Sequence, residues 1–332
     1  MKAEGVFHEL LVCPVCHTTL PLDVIRRDGQ GACSACERRF AYARGIYQLI
    51  PFPIPHRGIR RRWDTWLKLQ ENGLLSYTED PKNNLSVGGR QDVAAFAKFA
   101  RVSGRVLDIG CGPQSIPAYW TSPQDGELVG IDPLLGREEH SFPFVQGIGE
   151  YLPFRDEVFD QVLIASSLDH ALRPRQVLQE ARRVLKPTGH LVLWFFNVHA
   201  GRHRRWIAIA RRRVRKLKRG FHMLSQGNLE GIHAGLQRMR KPREVQTIQR
   251  ETPEYLSRLH VPRGAVDFFH FGYYRRNQLV HWLRQAGFVV SRVVEHQSFH
   301  LFIDAQPLSK TRVSRRVGRL SNSDYRHHEE MS

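Results

Sequence analysis

The sequence predicts an α/β fold: a doubly wound, mostly parallel sheet with a small N-terminal module and a helical basic insertion. Three observations predict it. Apolar strand-like runs alternate with amphipathic helices between residues 90 and 200, a glycine turn follows the first of these strands, and four cysteines lie within the first 50 residues. A chain of 332 residues that is 41% apolar can bury one full α/β core and a small extra module.

The elements are predicted from hydrophobic periodicity and from turn residues. A short amphipathic helix is expected over 57–72, and a second helix, with apolar residues from Val93 to Ala100, ends near Gly104. The sheet and its remaining helices are then predicted in chain order: strands at 105–109, 127–131, 141–145 and 159–165, a helix at 174–186, a strand at 190–196, a helix at 275–286, and closing strands at 288–295 and 299–304.

The same signals divide the chain into parts. The segment PFPIP places three prolines in five positions, which can continue neither a helix nor a central strand, so a linker is expected there. The end of the chain is polar and is predicted to be disordered. The predicted parts are an N-terminal cysteine module at 1–50, a linker and N-terminal helix at 51–88, a main domain at 89–305 with an insertion at 198–272, and a tail at 306–332.

The N-terminal module carries the spacing of a metal site. Two residues separate Cys13 from Cys16 and Cys33 from Cys36, and sixteen residues lie between the pairs. Two such knuckles offer four thiolates to one tetrahedral ion, so a closed, structural zinc site is predicted, which would supply folding energy to a short segment. The alternatives are redox CxxC motifs or chance pairs; a thioredoxin-like site would need one CxxC to open a helix within a larger fold.

The first 50 residues also resemble a known family. Their cysteine pairs and the apolar end GIYQLI at 45–50 are similar to zinc-ribbon domains of the tRNA-methyltransferase-activator type, which carry similar pairs and a GIP-like end. The resemblance implies a zinc ribbon.

The stretch RVLDIGCGPQS at 105–115 joins a buried strand to a turn with Gly110 and Gly112. In the dinucleotide-binding pattern G-x-G-x-x-G the last glycine would fall at position 115, where this chain has Ser115. The Gly-Lys-Ser/Thr of a P-loop is absent as well. Asp108, at the strand end, would repel a pyrophosphate but attract an ammonium or sulfonium group. The turn therefore predicts a cationic, phosphate-free nucleoside, of which S-adenosylmethionine is the common one. Asp132, at the end of the next predicted strand, can accept hydrogen bonds from both ribose hydroxyls.

Four ordered motifs carry a wider resemblance: DIGCG, LVGID, EYLPFRDEVFDQVLIASSLDH and VLQEARRVLKPTGHLVL. Over about residues 90–200 they resemble class I S-adenosylmethionine-dependent methyltransferases of type 11, and most of all the ubiquinone/menaquinone-methyltransferase-like group. The resemblance implies a Rossmann-like methyltransferase sheet, with the helix at 275–286 as a later element.

The resemblance also implies roles for single residues. Gly110, Cys111 and Gly112 let the backbone approach the methionine part, Asp108 orients its ammonium group through the turn or a water, and Asp132 holds the ribose. The segment 147–150, with Gly149 and Glu150, lies beside adenine. The residues implied to face the methyl-transfer site are Ser166, Ser167, Asp169 and His170.

Two positions depart from the family pattern. Ile148 stands where the family usually has an aspartate that accepts from the adenine amino group, and Gln114 replaces the third glycine of the turn. Glu150 or a backbone carbonyl could replace the lost acceptor. The alternative to a cofactor site is that Asp108, Gly110 and Gly112 only shape a strand-to-helix turn.

A proton released during methyl transfer needs an acceptor. His170 is the candidate base because its unperturbed pKa is near neutrality, and Asp169 is the second candidate. The alternative is that His170 caps a helix or packs the turn. Cytosine C5 methylation is excluded because it needs a nucleophilic cysteine, and the five cysteines are assigned to the zinc site and the glycine turn. The NPPY-like signature of exocyclic-amine methyltransferases is also absent, because ASSLDH stands after the fourth strand instead.

Charge is concentrated in the insertion. The formal net charge is +18, and residues 202–219 contain ten lysines and arginines and no acid. Trp206, Ile209, Ala210, Val214 and Leu217 share one helical face, which leaves three interpretations: contact with an anionic membrane surface, contact with nucleic-acid phosphates, or a lid whose basic face is only solvated. The aromatic cluster Phe268, Phe269, His270, Phe271, Tyr273 and Tyr274 lines an apolar substrate pocket, stacks a base or belongs to the core.

Three functional hypotheses follow. The first is a methyltransferase acting on a small-molecule or lipid-linked acceptor, such as a cell-envelope glycan or a quinone-like compound. The second is an RNA (rRNA or tRNA) methyltransferase, since a ribosomal-RNA guanine methyltransferase family also joins an N-terminal zinc module to this fold. The third is a non-catalytic scaffold. No signal peptide or membrane-spanning run is recognised, so a cytoplasmic protein is predicted, either free or peripheral at the membrane; the oligomeric state is left open.

Overall fold

The structure is a computed structural model that describes residues 2–121, 126–197, 254–297 and 299–308. The predicted basic helical insertion around 202–219 lies outside these residues, as does the tail from residue 309 onward.

One sheet of ten strands runs through the described part of the chain in the order β1-β2-β3-β6-β5-β4-β7-β8-β10-β9. Strands β3, β6, β5, β4, β7 and β8 are parallel to their neighbours within this run, whereas β10 pairs antiparallel with both β8 and β9. The strands are β1 (Gln30–Ala32), β2 (Arg39–Ala43), β3 (Ile46–Gln48), β4 (Gly104–Ile109), β5 (Gly126–Asp132), β6 (Phe144–Gln146), β7 (Phe159–Ala165), β8 (Leu185–Phe196), β9 (Phe288–His296) and β10 (His300–Pro307).

Helices cover both faces of the sheet. On one face α7 (Pro174–Val184) and α8 (Arg276–Gln285) bury apolar side chains against the sheet, namely Val177, Leu178, Leu279 and Leu283. On the other face α6 (Gln91–Ala100) buries Val93 and neighbouring residues. The prediction of a mixed, mostly parallel α/β sheet is confirmed. The helices are α1 (Lys2–Leu10), α2 (Leu22–Asp28), α3 (Arg57–Arg60), α4 (Trp63–Glu79), α5 (Pro81–Asn84), α6 (Gln91–Ala100), α7 (Pro174–Val184) and α8 (Arg276–Gln285).

Several predicted boundaries are wrong. The strand expected at 141–145 is β6 at Phe144–Gln146, so it begins three residues later than expected. The helix expected over 57–72 is split into α3 and α4, and α4 runs on to Glu79, because Trp66, Leu69, Gly73 and Ser76 form one continuous buried face. The helix expected at 174–186 ends at Val184, because Leu185 already pairs with Phe159 of β7 and begins a longer strand than expected.

The cysteine module continues the main sheet. Tyr47 and Gln48 of β3 pair in parallel with Val145 and Gln146 of β6. The apolar side chains of residues 7–49, among them Leu10, Ile25 and Phe40, belong to the same buried cluster as those of the central strands. The module therefore covers the edge of the parallel sheet at β6.

Candidate active site at the carboxyl edge of the sheet

A cavity of about 270 Å³ lies at the carboxyl ends of β4, β5, β6 and β7. Parallel α/β sheets bind ligands at this edge, because loops from neighbouring strands meet there. One wall is formed by the glycine turn and the segments that follow β5, β6 and β7. The facing wall is α4, which contributes Trp66, Leu69, Gly73, Ser76 and Tyr77.

The glycine turn brings bare backbone to the cavity. Gly110 and Gly112 have φ angles of 76° and 79°, in the left-handed region that glycine adopts without strain. The Gly110 amide donates to the Ile131 carbonyl at 2.8 Å. A Cβ atom on Gly110 would lie 2.4 Å from Cβ of Ser167, so no larger residue fits. Cys111 also lines the cavity, and burial raises the pKa of its thiol.

Asp132 is held rigidly at the cavity wall. Its Oδ2 accepts from the Gly112 amide at 2.9 Å and its Oδ1 accepts from the Leu134 amide at 2.8 Å. Each carboxylate oxygen keeps a second lone pair for a ligand. Burial raises the pKa of Asp132 to about 6, although these two amides act in the opposite direction. The carboxylate is therefore oriented before any ligand arrives.

Asp108 lies behind the glycine turn rather than in the cavity wall. It is fully buried, and Oη of Tyr119 donates to its Oδ2 at 2.5 Å. Its Oδ1 has no hydrogen-bond partner. Burial raises the pKa of Asp108 to about 7, against the hydrogen bond from Tyr119, which lowers it. An effect of Asp108 on a ligand must therefore pass through the turn or a water, as the resemblance implied.

Gln114 fills the space that a third glycine would leave. Its Nε2 donates to the Cys111 carbonyl at 2.6 Å, which fixes the amide orientation. Its Oε1 is buried without a hydrogen-bond partner, and the side chain lines the cavity. The departure from the family pattern thus adds an unpaired acceptor beside the turn.

The segment expected beside adenine divides into two parts. Ile148 and Gly149 line the cavity, and Ile148 packs in a buried apolar cluster with Trp66 and Leu69 of α4. Glu150 does not line it. Its Oε1 accepts from the Arg173 amide at 2.9 Å, at the start of α7, and burial raises its pKa. Glu150 is thus already engaged by the protein itself.

Ser166, Ser167 and His170 line the cavity, and Asp169 lies directly behind them with 3% of its surface exposed. The His170 Nδ1 lies 3.1 Å from the Phe269 carbonyl, and Trp66 Nε1 donates to the His170 carbonyl at 3.2 Å. Burial lowers the pKa of His170, so its imidazole is neutral at neutral pH.

A family model described as a methyltransferase domain matches residues 107–193, from within β4 into β8. These residues hold the glycine turn, Asp132 and the Asp169–His170 pair. Residues 107–193 are thus similar to a methyltransferase domain.

Two curated relatives show how far the similarity extends. The chain is 30% identical over 161 residues to a probable phthiotriol/phenolphthiotriol dimycocerosates methyltransferase 2 of Mycobacterium ulcerans, covering 40% of this chain and 62% of that protein. It is 35% identical over 115 residues to a demethylmenaquinone methyltransferase of Streptomyces griseus, covering 32% of this chain and 49% of the relative. The chain thus spans about half to three fifths of the length of these relatives.

Among solved structures, the chain aligns with the 1,6-didemethyltoxoflavin-N1-methyltransferase of Burkholderia thailandensis, which was solved with 1,6-didemethyltoxoflavin and S-adenosylhomocysteine bound. The sequence identity is 14%, the TM-score is 0.46, and the alignment covers 83% of this chain and 98% of that chain.

Sequence reasoning missed part of the cavity wall. Residues 51–88 are predicted to be a linker and a helix with no part in the site. In the structure, Tyr77 and the rest of the inner face of α4 close the cavity on the side that faces the glycine turn. The available signal was the spacing of Trp66, Leu69, Gly73 and Ser76, which repeats every three to four residues. The aromatic cluster at 268–274 is divided: Phe269 and His270 line the cavity, whereas Phe271 is buried in the apolar cluster around Ile148.

The four cysteines predicted to bind metal lie close together, outside residues 107–193. Sγ of Cys13 lies 3.6 Å from that of Cys36, and Sγ of Cys16 lies 3.5 Å from that of Cys33. Both knuckles have the same hydrogen bonds: the residue after the second cysteine, His17 or Glu37, donates to the carbonyl of the first cysteine at 2.9 Å. None of the described residues of the module lines the cavity.

Proposed function

We propose that the chain transfers a methyl group from S-adenosylmethionine to a small-molecule or lipid-linked acceptor. The observation that carries this proposal is Asp132, whose two oxygens are fixed by backbone amides beside a bare glycine turn. A carboxylate in this position accepts from the two hydroxyls of a ribose.

The charges around the cavity support a phosphate-free cation. Arg90 is the arginine of the described cavity lining, and its Nη2 is paired with Asp92 at 2.6 Å. A pyrophosphate would find no unpaired cation there, whereas the ammonium group of S-adenosylmethionine would find the unpartnered Oε1 of Gln114. Ile148, Trp66 and Leu69 offer apolar surface to the adenine ring.

Bound S-adenosylmethionine would supply an activated methyl group, and the chain has to align an acceptor behind it. The acceptor is proposed to enter beside His170 and Phe269, at the end of the cavity away from Asp132. If the acceptor is a hydroxyl, its proton is released at the corner formed by Asp169 and His170. The lowered pKa of His170, caused by burial, keeps its imidazole neutral for this purpose.

An apolar acceptor is favoured over RNA. The two relatives are named as methyltransferases of phthiotriol/phenolphthiotriol dimycocerosates and of demethylmenaquinone. The cavity wall formed by Trp66, Leu69 and Phe269 is consistent with a molecule of that kind. Contact of residues 202–219 with RNA or with an anionic membrane stays a prediction, since that segment lies outside the described residues. No helix in the described ranges is long and apolar enough to cross a membrane.

We further propose that the four cysteines bind a structural Zn²⁺. Tetrahedral zinc with Zn–S bonds of about 2.3 Å separates its sulfurs by about 3.8 Å, close to the observed 3.5 and 3.6 Å. The knuckle geometry, with positive φ at His17 and Glu37, turns both pairs of sulfurs toward one point. Four protein ligands leave no open position, so the ion would hold the fold without taking part in methyl transfer.

The cofactor site is tested by calorimetric titration of the zinc-loaded protein with S-adenosylmethionine. We expect Asp132→Asn to weaken binding at least about tenfold, or about 1.4 kcal/mol, because the ribose hydroxyls lose a charged acceptor. Asp23→Asn, at a position where the side chain is 80% exposed, is the matched control and should bind as the wild type does. Absence of binding to the folded wild type, or equal binding by Asp132→Asn, would contradict the proposal and favour a scaffold.

A further inference from the structure

The side chains of Asp169, His170 and His270 meet at the acceptor end of the cavity. Neither the sequence motifs nor the similarity of residues 107–193 to a methyltransferase domain explains why these three groups lie together. Asp169 and His170 follow β7, and His270 comes from the loop before α8, 100 residues later in the chain. One ligand atom of each residue lies within 4.8 Å of the others. The Nε2 of His170 is 3.9 Å from Oδ1 of Asp169, and the Nε2 of His270 is 3.6 Å from its Oδ2.

The tautomer of each histidine is fixed by its outer partner. The Nδ1 of His170 lies 3.1 Å from the Phe269 carbonyl, which can only accept, so that nitrogen carries the proton. The Nδ1 of His270 lies 2.9 Å from both carboxylate oxygens of Asp267, which leads to the same conclusion. In the neutral rings the lone pairs are therefore on the two Nε2 atoms, and both face Asp169.

Asp267 is itself held in place. Its Oδ1 accepts from the amides of Phe269 and His270 at 2.8 Å, and the Tyr273 hydroxyl donates to its Oδ2. A histidine whose Nδ1–H donates to a carbonyl or an oriented carboxylate, with Nε2 turned inward, is the usual form of a metal-binding histidine. Here both histidines have that form.

The interior of the cluster lacks a positive charge. Asp169 is 3% exposed, and its Oδ1 has no hydrogen-bond partner. The distances of 3.6 and 3.9 Å from its oxygens to the imidazole nitrogens are too long for hydrogen bonds. With both rings neutral, two lone pairs and a buried carboxylate that face one another without a hydrogen bond favour a cation between them.

We propose that Asp169, His170 and His270 bind a divalent transition-metal ion of the zinc or iron class at the acceptor end of the cavity. With bonds of about 2.1 Å and angles of 90–120°, ligand atoms of one ion lie about 3.0–3.6 Å apart, so atoms that now lie within 4.8 Å of one another need to approach by at most about 1.8 Å. Two imidazoles and one carboxylate leave coordination positions open.

What the ion binds rests on the proposed function. His170 and His270 line the cavity, so the open positions face the place where the acceptor is expected. A hydroxyl or carbonyl oxygen of the acceptor would bind there, and the ion would lower the pKa of a bound hydroxyl. In that state His170 acts as a ligand and not as a base, and the specificity is for an oxygen-bearing acceptor.

The experiment measures metal uptake by the full-length protein with its cysteines already loaded with one equivalent of zinc. Co²⁺ is titrated by calorimetry and by visible absorption. We expect one further equivalent, with a spectrum of nitrogen and oxygen ligands that lacks thiolate charge-transfer bands. His270→Gln and Asp169→Asn should each weaken this uptake at least about tenfold and leave the cysteine-bound zinc in place. His281→Gln, on the exposed face of α8, is the matched control and should take up cobalt as the wild type does.

If a cluster variant fails to fold, Asp267→Asn is the second test. It changes none of the proposed ligands and keeps one side-chain oxygen for the amides of Phe269 and His270, but it weakens the hydrogen bond that orients His270, so metal uptake should still weaken about tenfold or more. Absence of a second equivalent in the wild type, or equal uptake by His270→Gln, overturns the metal site. Titration of the same samples with S-adenosylmethionine separates the two proposals. Cofactor binding without cobalt uptake supports the methyltransferase proposal and rules out the metal site. Cobalt uptake without cofactor binding supports the metal site and contradicts the methyltransferase proposal.

Discussion

At the residue scale, the site depends on close contact between backbone and side chains across adjacent loops. Ser167 packs directly over Gly110, and its hydroxyl donates to the Ile109 carbonyl at 2.6 Å. Sequence reasoning identified Gly110 and Ser167 as members of two separate motifs. Their contact follows from the pairing of β4 with β7, which a sequence motif does not contain.

Gly110→Ala should lower stability more than Gly45→Ala. Both glycines have nearly the same positive φ, 76° and 74°, but an added Cβ meets Ser167 at 2.4 Å in the first case and nothing within 4 Å in the second. We expect a loss of about 1 kcal/mol for Gly45→Ala and about 2–4 kcal/mol for Gly110→Ala, together with weakened binding of S-adenosylmethionine. Urea unfolding and calorimetry measure both effects; equal losses would show that Ser167 moves aside at little cost.

Asp108 should make the free protein less stable as the pH rises. Burial raises its pKa to about 7 in the fold, whereas an unfolded aspartate titrates near 3.9. The folded state therefore keeps a proton that the unfolded state releases, and stability falls between about pH 4 and pH 7. The groups that face Asp108 are Tyr119, Asp132 and Cys111.

Asp108→Asn removes this dependence. The stability of the variant relative to wild type should increase by about 1.4 kcal/mol between about pH 6 and about pH 8, in the absence of cofactor. Urea unfolding at both pH values measures the difference. A difference that does not change with pH would mean that Asp108 is already ionised at pH 6.

At the scale of elements, α4 is the part of the site that the sequence left unassigned. Its inner face closes the cavity, and Thr65 and Asn72 anchor it by donating to the carbonyls of Arg263, His260 and Phe268. Gly73 sits on that inner face, where a Cβ would meet only Tyr77 at 3.8 Å. A small residue here keeps the cavity open.

Gly73→Leu should separate binding from stability. Leucine is favoured over glycine in a helix by up to about 1 kcal/mol, so the fold should be retained while the side chain fills the cavity. We expect binding of S-adenosylmethionine to weaken about tenfold or more. Gly73→Ala, which gains helix propensity with little added volume, should bind within about threefold of wild type. If the leucine variant binds normally, the cofactor does not pass beside α4.

At the scale of the whole molecule, the cysteine module and residues 107–193 share one sheet and one core. Arg155, just before β7, donates from Nε to the Glu9 carbonyl at 2.9 Å, and Leu11 bridges to Phe154. Loss of the module would expose the edge of β6 and the buried side chains beside it. A metal held by the module would therefore stabilise the sheet that carries Asp132, although it lies outside the cavity.

Cys33→Ser should remove the bound zinc and destabilise the entire protein. We expect the variant to hold one equivalent of zinc less than the wild type and the midpoint of thermal unfolding to fall by about 10 °C, since structural zinc contributes several kcal/mol. Cys111→Ser, which changes the fifth cysteine, should keep its zinc. Element analysis and calorimetric scanning measure both quantities. A Cys33→Ser protein that keeps its zinc would show that these cysteines are not the ligands.

The sequence by itself determined the chemistry that is local in the chain. The strands, the glycine turn, Asp132 and the paired cysteines are readable because each depends on residues within a few positions of one another. Only the tertiary structure decided which distant residues meet. His270 reaches Asp169 across 101 positions, α4 closes over the glycine turn, and β3 pairs with β6. These contacts come from strand order and helix packing, which bring together segments whose separation in the chain leaves no periodic signal.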